Sequence, residues 1–252
     1  MRRSRVIPCL TVLDGDLVKT VSFQAPRYVG DPVNAVKLFN EMEVDELAVI
    51  DIGASRNGTP PNRELITDLA SEAFMPIAYG GGVRSADEAA QLSAIGVEKI
   101  IVDSGAIANP QLAAEIAARL GSSSTVVSIS FSRDRRGQAW VFDPARRSRL
   151  DRDPVEWARE LVELGAGEIM LNDVDRDGGY EGLDTNLIEA VTQAVDVPVI
   201  ACGGAGSVDD LAAGVAAGAS AVAAGSLFMF YSSQRGVLIN YPDETELAAV
   251  IP

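Results

Sequence analysis

A repeat of fixed offset constrains this chain more than any other feature. Gly81, Gly82, Ser85, Asp87, Gly96 and Ser104 recur 122 residues later as Gly203, Gly204, Ser207, Asp209, Gly218 and Ser226, and Glu46 and Asp51 recur at the same offset as Glu168 and Asp173. One offset holding across three separated stretches divides the chain into two halves of one plan, about 1–122 and 123–252. Within each half, short apolar runs alternate with amphipathic ones. The runs Arg5 to Val12, Glu46 to Ile52, Met75 to Tyr79, Lys99 to Val102, Thr125 to Ser130, Glu168 to Asp173, Pro198 to Cys202 and Ala221 to Ala224 are rich in Val, Ile and Leu, as strands buried on both faces are. Asp31-Pro32, Asn109-Pro110 and Asp153-Pro154 each read as a cap followed by Pro at the first helical position, and Ser85 and Ser207 precede acids that suit a helix N-terminus. Gly96, Gly121, Gly165 and Gly218 fall where helices should stop. A (β/α)₄ half cannot bury its inner face alone, whereas two can close on each other. The expectation is one α/β domain over 1–252, a (β/α)₈ TIM barrel built from two repeated (β/α)₄ halves.

Composition removes several classes of function. The formal net charge of −15 repels a phosphate backbone, so nucleic acid and anionic membrane are poor partners. No apolar run reaches the roughly 18–20 residues a bilayer requires. The basic start, Met1-Arg2-Arg3-Ser4-Arg5, leads into an apolar run broken by Thr11, Asp14 and Asp16, which reads as a first strand rather than a signal peptide; a cytoplasmic protein is expected. Cys9 and Cys202 sit in apolar segments and read as buried free thiols. The chain contains no histidine, which removes the commonest general base and metal ligand and leaves no Cys-His or Ser-His pairing. Asp175-Arg176-Asp177 is too short for a metal site, so neither metal nor cofactor is expected.

In a barrel the chemistry collects at the C-terminal ends of the strands. Gly-rich loops fall there, with Gly82, Ser104, Gly178, Gly204, Gly225 and Ser226 as phosphate- or substrate-binding candidates, because glycine lets backbone N–H groups approach an anion. The first-half loop, Val102-Asp103-Ser104-Gly105, sets a carboxylate where a phosphate would lie, so one phosphate or none is expected. Asp51, Asp175 and Asp177 end strands two and six and either contact substrate or cap loops; Lys19 falls in the first active-face loop. At the other mouth, Arg5, Glu46, Lys99 and Glu168 start strands one, two, four and six. Two cations and two carboxylates there either cap the floor or close a neutral ring. The apolar runs Phe228 to Tyr231 and Gly236 to Tyr241 either pack on the core or dock a partner.

Arg5-Val6-Ile7-Pro8-Cys9-Leu10, Asp14-Gly15, Gly30-Asp31-Pro32, Asp45-Glu46-Leu47, Gly165-Ala166-Gly167-Glu168-Ile169, Asp175-Arg176-Asp177-Gly178 and Gly203-Gly204-Ala205-Gly206 resemble the HisF family, the cyclase subunits of imidazole glycerol phosphate synthase, over residues 1 to about 230. The resemblance implies an acid/base pair of Asp residues ending strands one and five. Thr11 and Ser130 occupy those positions, so no catalytic acid is expected there. It further implies that Arg5, Glu46, Lys99 and Glu168 form the gate through which ammonia enters from a HisH-like glutaminase bound at the barrel bottom. Gly15 to Val21, Tyr28 to Val36 and Gly225 to Pro242 are similar to the WbuZ branch of HisF-like proteins from surface-polysaccharide loci. That likeness implies a second partner, an ATP-dependent N-acetyl sugar amidotransferase, and sugar amidination as the purpose. A genuine cyclase and a non-enzymatic scaffold that activates a glutaminase are the alternatives.

Overall fold

The computed structural model describes residues 4–231 and 236–251; Met1–Arg3 of the basic start lie outside the described residues. Eight parallel strands carry the fold: β1 (Arg5–Leu13), β2 (Leu47–Asp51), β3 (Ile77–Gly80), β4 (Lys99–Val102), β5 (Thr125–Arg133), β6 (Glu168–Asp173), β7 (Val199–Cys202) and β8 (Ala221–Ala224). Each pairs with the next, and β8 returns to β1 from Arg5↔Ala221 to Pro8↔Ala224. The eight strands therefore close into the expected (β/α)₈ barrel, in which each has a neighbour on both sides.

Helices cover the outer face, and the repeat reaches further into them than the motifs alone indicate. Helix Pro32–Glu41 buries Pro32, Ala35, Val36 and Phe39, and helix Pro154–Glu163 buries Pro154, Trp157, Ala158 and Leu161. Both are the i, i+3, i+4, i+7 stripe of an amphipathic helix. Their starts are held alike. Asp31 accepts from Asn34 N at 2.8 Å and Asp153 from Val155 N at 2.8 Å; Ser85 and Ser207 accept from Glu88 N and Asp210 N, each at 3.2 Å. The Asn109-Pro110 start falls one residue later than expected: the helix is Gln111–Leu120, with Asn109 Oδ1 accepting from Gln111 N at 3.2 Å. Glycine is required where loop crosses strand end. A Cβ on Gly81 would stand 2.6 Å from the carbonyl oxygen of Asp51, and one on Gly203 2.5 Å from that of Asp173.

Alternate strand residues point inward and form three levels. Charged Arg5, Glu46, Lys99 and Glu168 make the floor. Ile7, Ala48, Ala78, Ile101, Val126, Met170, Ile200 and Ala221 fill an apolar middle, with the buried free thiols Cys9 and Cys202 in the same cluster. Above them the inward positions turn polar.

Two segments depart from the sequence reading. Lys19 lies not in an irregular loop but on an antiparallel hairpin, Asp16–Val21 with Gln24–Gly30, which continues β1 through the pairing Thr11↔Val18. The β-branched run Val18, Thr20, Val21 favours extended backbone there. A second hairpin strand, Ala139–Asp143, folds back on the end of β5 through Phe131↔Val141. The C-terminal run packs on the core at Phe228, Met229 and Phe230, and Tyr241 donates its hydroxyl to Val6 O at 3.0 Å. Tyr231, Val237 and Leu238 stay exposed, and the last helix is Glu244–Val250. No described helix is long and apolar enough to cross a membrane.

Candidate functional site: a charged floor and a polar chamber

The four charges at the strand starts meet. Arg5 pairs with both Glu46 and Glu168, and Lys99 Nζ reaches Glu46 Oε2 at 3.0 Å and Glu168 Oε2 at 2.8 Å. Each cation thus bridges both carboxylates in a closed neutral cycle, the arrangement that makes burial of such charges tolerable. The carboxylates are almost wholly buried, whereas the Lys99 and Arg5 side chains remain 20% and 28% exposed, so the cations form the outer lip of the floor. Burial works against the Arg5 charge, but Glu168 and Glu46 outweigh it and hold the guanidinium pKa above its usual value.

At the opposite mouth a cavity opens among the strand ends and is roofed by the first hairpin. Thr11 and Ser130, on β1 and β5, both line it. Lys19 lies buried above, its Nζ donating to Cys9 O at 2.6 Å and Thr11 Oγ1 at 3.2 Å. Glycine at 225 makes room for it, since a Cβ there would lie 2.1 Å from Lys19 Nζ. Asp177 faces the same space and accepts from Thr20 Oγ1 at 3.1 Å; desolvation raises its pKa, opposed by the Lys19 charge. Gly178, Gly204, Gly225, Ser226 and Ser104 all line the cavity, while Gly82 stands behind it with its N–H on Ser55 Oγ at 3.3 Å.

The three acids ending strands two and six divide. Asp51 lines the cavity, yet its Oδ1 is spent on Gly53 N and Ala54 N at 2.9 and 3.0 Å. Its repeat partner Asp173 caps Asp175 N and Arg176 N in the same way, and burial lifts its pKa to about 6. Asp175 is exposed, does not reach the cavity, and accepts from Arg133 N at 2.7 Å: it holds a loop.

The first-half loop carries a correction. The Asp103 carboxylate does not lie at the loop's anion position. It turns inward, where Oδ2 accepts from Ser130 Oγ at 2.7 Å and Ser128 Oγ at 3.0 Å. The carboxylate beside Ser104 belongs instead to Asp143 of the second hairpin, whose Oδ1 accepts from Ser104 Oγ at 3.1 Å and Ala145 N at 2.9 Å. An internal carboxylate therefore fills the first-half loop. The reason is that Ser128 and Ser130 point the same way from β5 and offer two hydroxyl donors, which outcompete a helix-end cap. Burial raises the Asp103 pKa to about 7, with the Ser130 and Ser128 hydrogen bonds opposing and the Asp143 charge adding to the rise. Sequence reasoning missed this group. The signal was a break in the repeat, because the position 122 residues on from Asp103 is Gly225.

A charged floor, an apolar middle and a polar chamber thus follow one another along the (β/α)₈ barrel, with Gly-rich loops of the second half at the chamber's rim. Comparison with known proteins gives the family. Residues 5–234 match the family described as Histidine biosynthesis protein. The chain is 49% identical to "Putative imidazole glycerol phosphate synthase subunit hisF2" of Pseudomonas aeruginosa, over 98% of this chain and 99% of that one. It is 45% identical to imidazole glycerol phosphate synthase subunit HisF of Streptomyces griseus and 44% to that of Clavibacter michiganensis, over 90% and 89% of this chain and 90% and 86% of theirs. The chain belongs to the HisF family.

Proposed function

We propose that this chain is the ammonia-accepting subunit of a glutamine-dependent complex: a HisH-like glutaminase docks on the floor, and ammonia passes the Arg5–Glu46–Lys99–Glu168 ring, crosses the lumen and reacts in the chamber. The closed four-residue ring carries this reading. Its two cations face out, toward a docking protein, and an apolar lumen of Ile and Ala side chains stands above it, suited to neutral ammonia and poorly suited to ammonium. In the complex with the glutaminase, Lys99→Ala should uncouple glutamine hydrolysis from product formation while leaving product from free ammonia; undiminished glutamine-driven product would refute the gate.

For the acceptor, we infer amidination of an N-acetyl sugar in surface-polysaccharide synthesis, with an ATP-dependent amidotransferase as third component. Hydroxyls at Thr11 and Ser130, where the family resemblance implies acids, favour this over the cyclase reaction. The second reading, a cyclase of histidine biosynthesis, is supported by the names of the relatives and by the second-half Gly-rich loops that line the chamber. A histidine auxotroph lacking its own HisF separates them: the first reading expects no growth on complementation, the second growth. A scaffold that merely activates the glutaminase would leave product formation from free ammonia independent of this chain.

A further inference from the structure

Among all the acids that end barrel strands, Asp103 is used differently. It stands at the cap position of the short helix Ser104–Ala108 but makes no capping bond, which forgoes about 1 kcal/mol. Its carboxylate is turned into the barrel, and its two oxygens are unlike. Oδ2 is saturated by Ser128 and Ser130. Oδ1 is out of solvent and has no hydrogen-bond partner among the described residues. On the far side of Ser130, Asn172 lies level with it in the β5–β6 register, and Asn172 Oδ1 is likewise buried and without a partner. Both residues line the chamber. Two buried acceptors without partners among the described residues suit a small guest that brings N–H donors. An unmade hydrogen bond at such a site costs about 1–3 kcal/mol until a donor arrives.

We propose that Asp103 Oδ1 and Asn172 Oδ1 hold ammonia where it leaves the lumen, and that Asp103 takes the proton released when that ammonia adds to an electrophilic sp² carbon of the acceptor. The nitrogen lone pair forms the new C–N bond and the carbon's π pair moves onto its own heteroatom. The nitrogen then carries one proton too many; Oδ1 accepts it, and the N–H electron pair stays on nitrogen. Ser128 and Ser130 are positioning residues that keep Oδ2 fixed, so Oδ1 alone is free to react. The groups around the carboxylate are the hydroxyls of Ser128 and Ser130, the backbone N–H of Ser130, the carboxylate of Asp143 from the second hairpin, and, around the same cavity, Lys19, Asp177 and Asp51. A carboxyl held near neutrality by burial is poised for this work at cellular pH. The inference rests on ammonia reaching the chamber, but it requires neither acceptor reading in particular.

The test is the titration of ¹³Cγ-aspartate signals in the full chain, read by NMR from pH 5 to 9, in sodium chloride and in ammonium chloride of equal ionic strength. One carboxyl is expected to titrate near 7, to vanish in Asp103→Asn, and to shift its midpoint with ammonium but not with sodium. Ser130→Ala, which removes a stabilising hydrogen bond to the charged form, should move that midpoint upward, and Asn172→Leu should abolish the ammonium response while keeping the titration. An Asp103 that titrates in the ordinary carboxylate range, or one indifferent to ammonium, overturns the proposal. Because ammonium is supplied free, this failure is distinct from a failure of the gate, which the Lys99→Ala uncoupling reads.

Discussion

Ser130 Oγ donates to Asp103 Oδ2 at 2.7 Å across the neighbouring strands β5 and β4. A hydroxyl of strand five thus supports a carboxylate that follows strand four in the upper chamber.

The first prediction concerns pH. Asp103 has an ordinary unfolded pKa near 3.9 and a folded value raised to about 7, so the folded chain binds the extra proton between those limits. Stability from this group is therefore fully present below about pH 4 and is lost as pH rises toward 7, at no more than about 1.4 kcal/mol per pH unit. Asp103→Asn lacks this loss. Its stability relative to the unaltered chain should rise as urea denaturation is repeated from pH 5 to pH 8; a difference independent of pH contradicts the assignment.

A second prediction follows from the same pair. Ser130→Asp would bring a second carboxylate against Asp103 and should destabilise the fold by about 1–3 kcal/mol at pH 8. Adding Asp103→Asn should recover most of that loss, giving a coupling energy above about 1 kcal/mol in a double-mutant cycle. Additive effects would mean that the two side chains do not share the site.

The floor makes a third. Lys99→Ala leaves Glu46 and Glu168 with Arg5 as their only cation among the described residues, in a site where the carboxylates are nearly solvent-free. Removing one partner of a wholly buried pair costs about 3–5 kcal/mol; with Lys99 one-fifth exposed, a loss of about 1–3 kcal/mol is expected. Glu168→Gln in the same background should return part of it, as read by denaturant midpoints.

A fourth contrasts glycines. Gly58 and Gly203 both have positive φ, but a Cβ meets nothing within 4 Å at Gly58 and the Asp173 carbonyl at 2.5 Å at Gly203. Gly58→Ala should cost about 1 kcal/mol for conformation alone, and Gly203→Ala clearly more, because strand and loop must separate. Gly81→Ala should behave like Gly203→Ala, since it meets the Asp51 carbonyl at 2.6 Å. Equal losses at Gly58 and Gly203 would argue against the close approach.

The strands were legible because parallel strands buried on both faces need unbroken runs of Val, Ile and Leu, and β1, β4, β6 and β8 start within a residue of where those runs begin. The helices announced themselves through Asp31, Asp153, Ser85 and Ser207, whose short side chains satisfy N–H groups only two or three residues away. The floor was legible as four charged residues at strand starts. The first hairpin was not, because the run from Leu17 to Val21 is short and directly follows β1. The duties of Asp51, Asp175 and Asp177 were not either, since a cap, a loop tie and a cavity wall ask for the same residue type.

By itself the sequence determined a closed barrel of two like halves, because periodicity, capping and the 122-residue offset are local or self-referential properties of a chain. Only the tertiary structure decided that Asp103 turns into the chamber instead of capping its helix. Asp103 and Ser130 are 27 residues apart, and nothing local to either sets the rotamer of the other. That choice is made by strand register and by the competition of two serine hydroxyls against a helix cap, which exists only once β4 and β5 lie side by side.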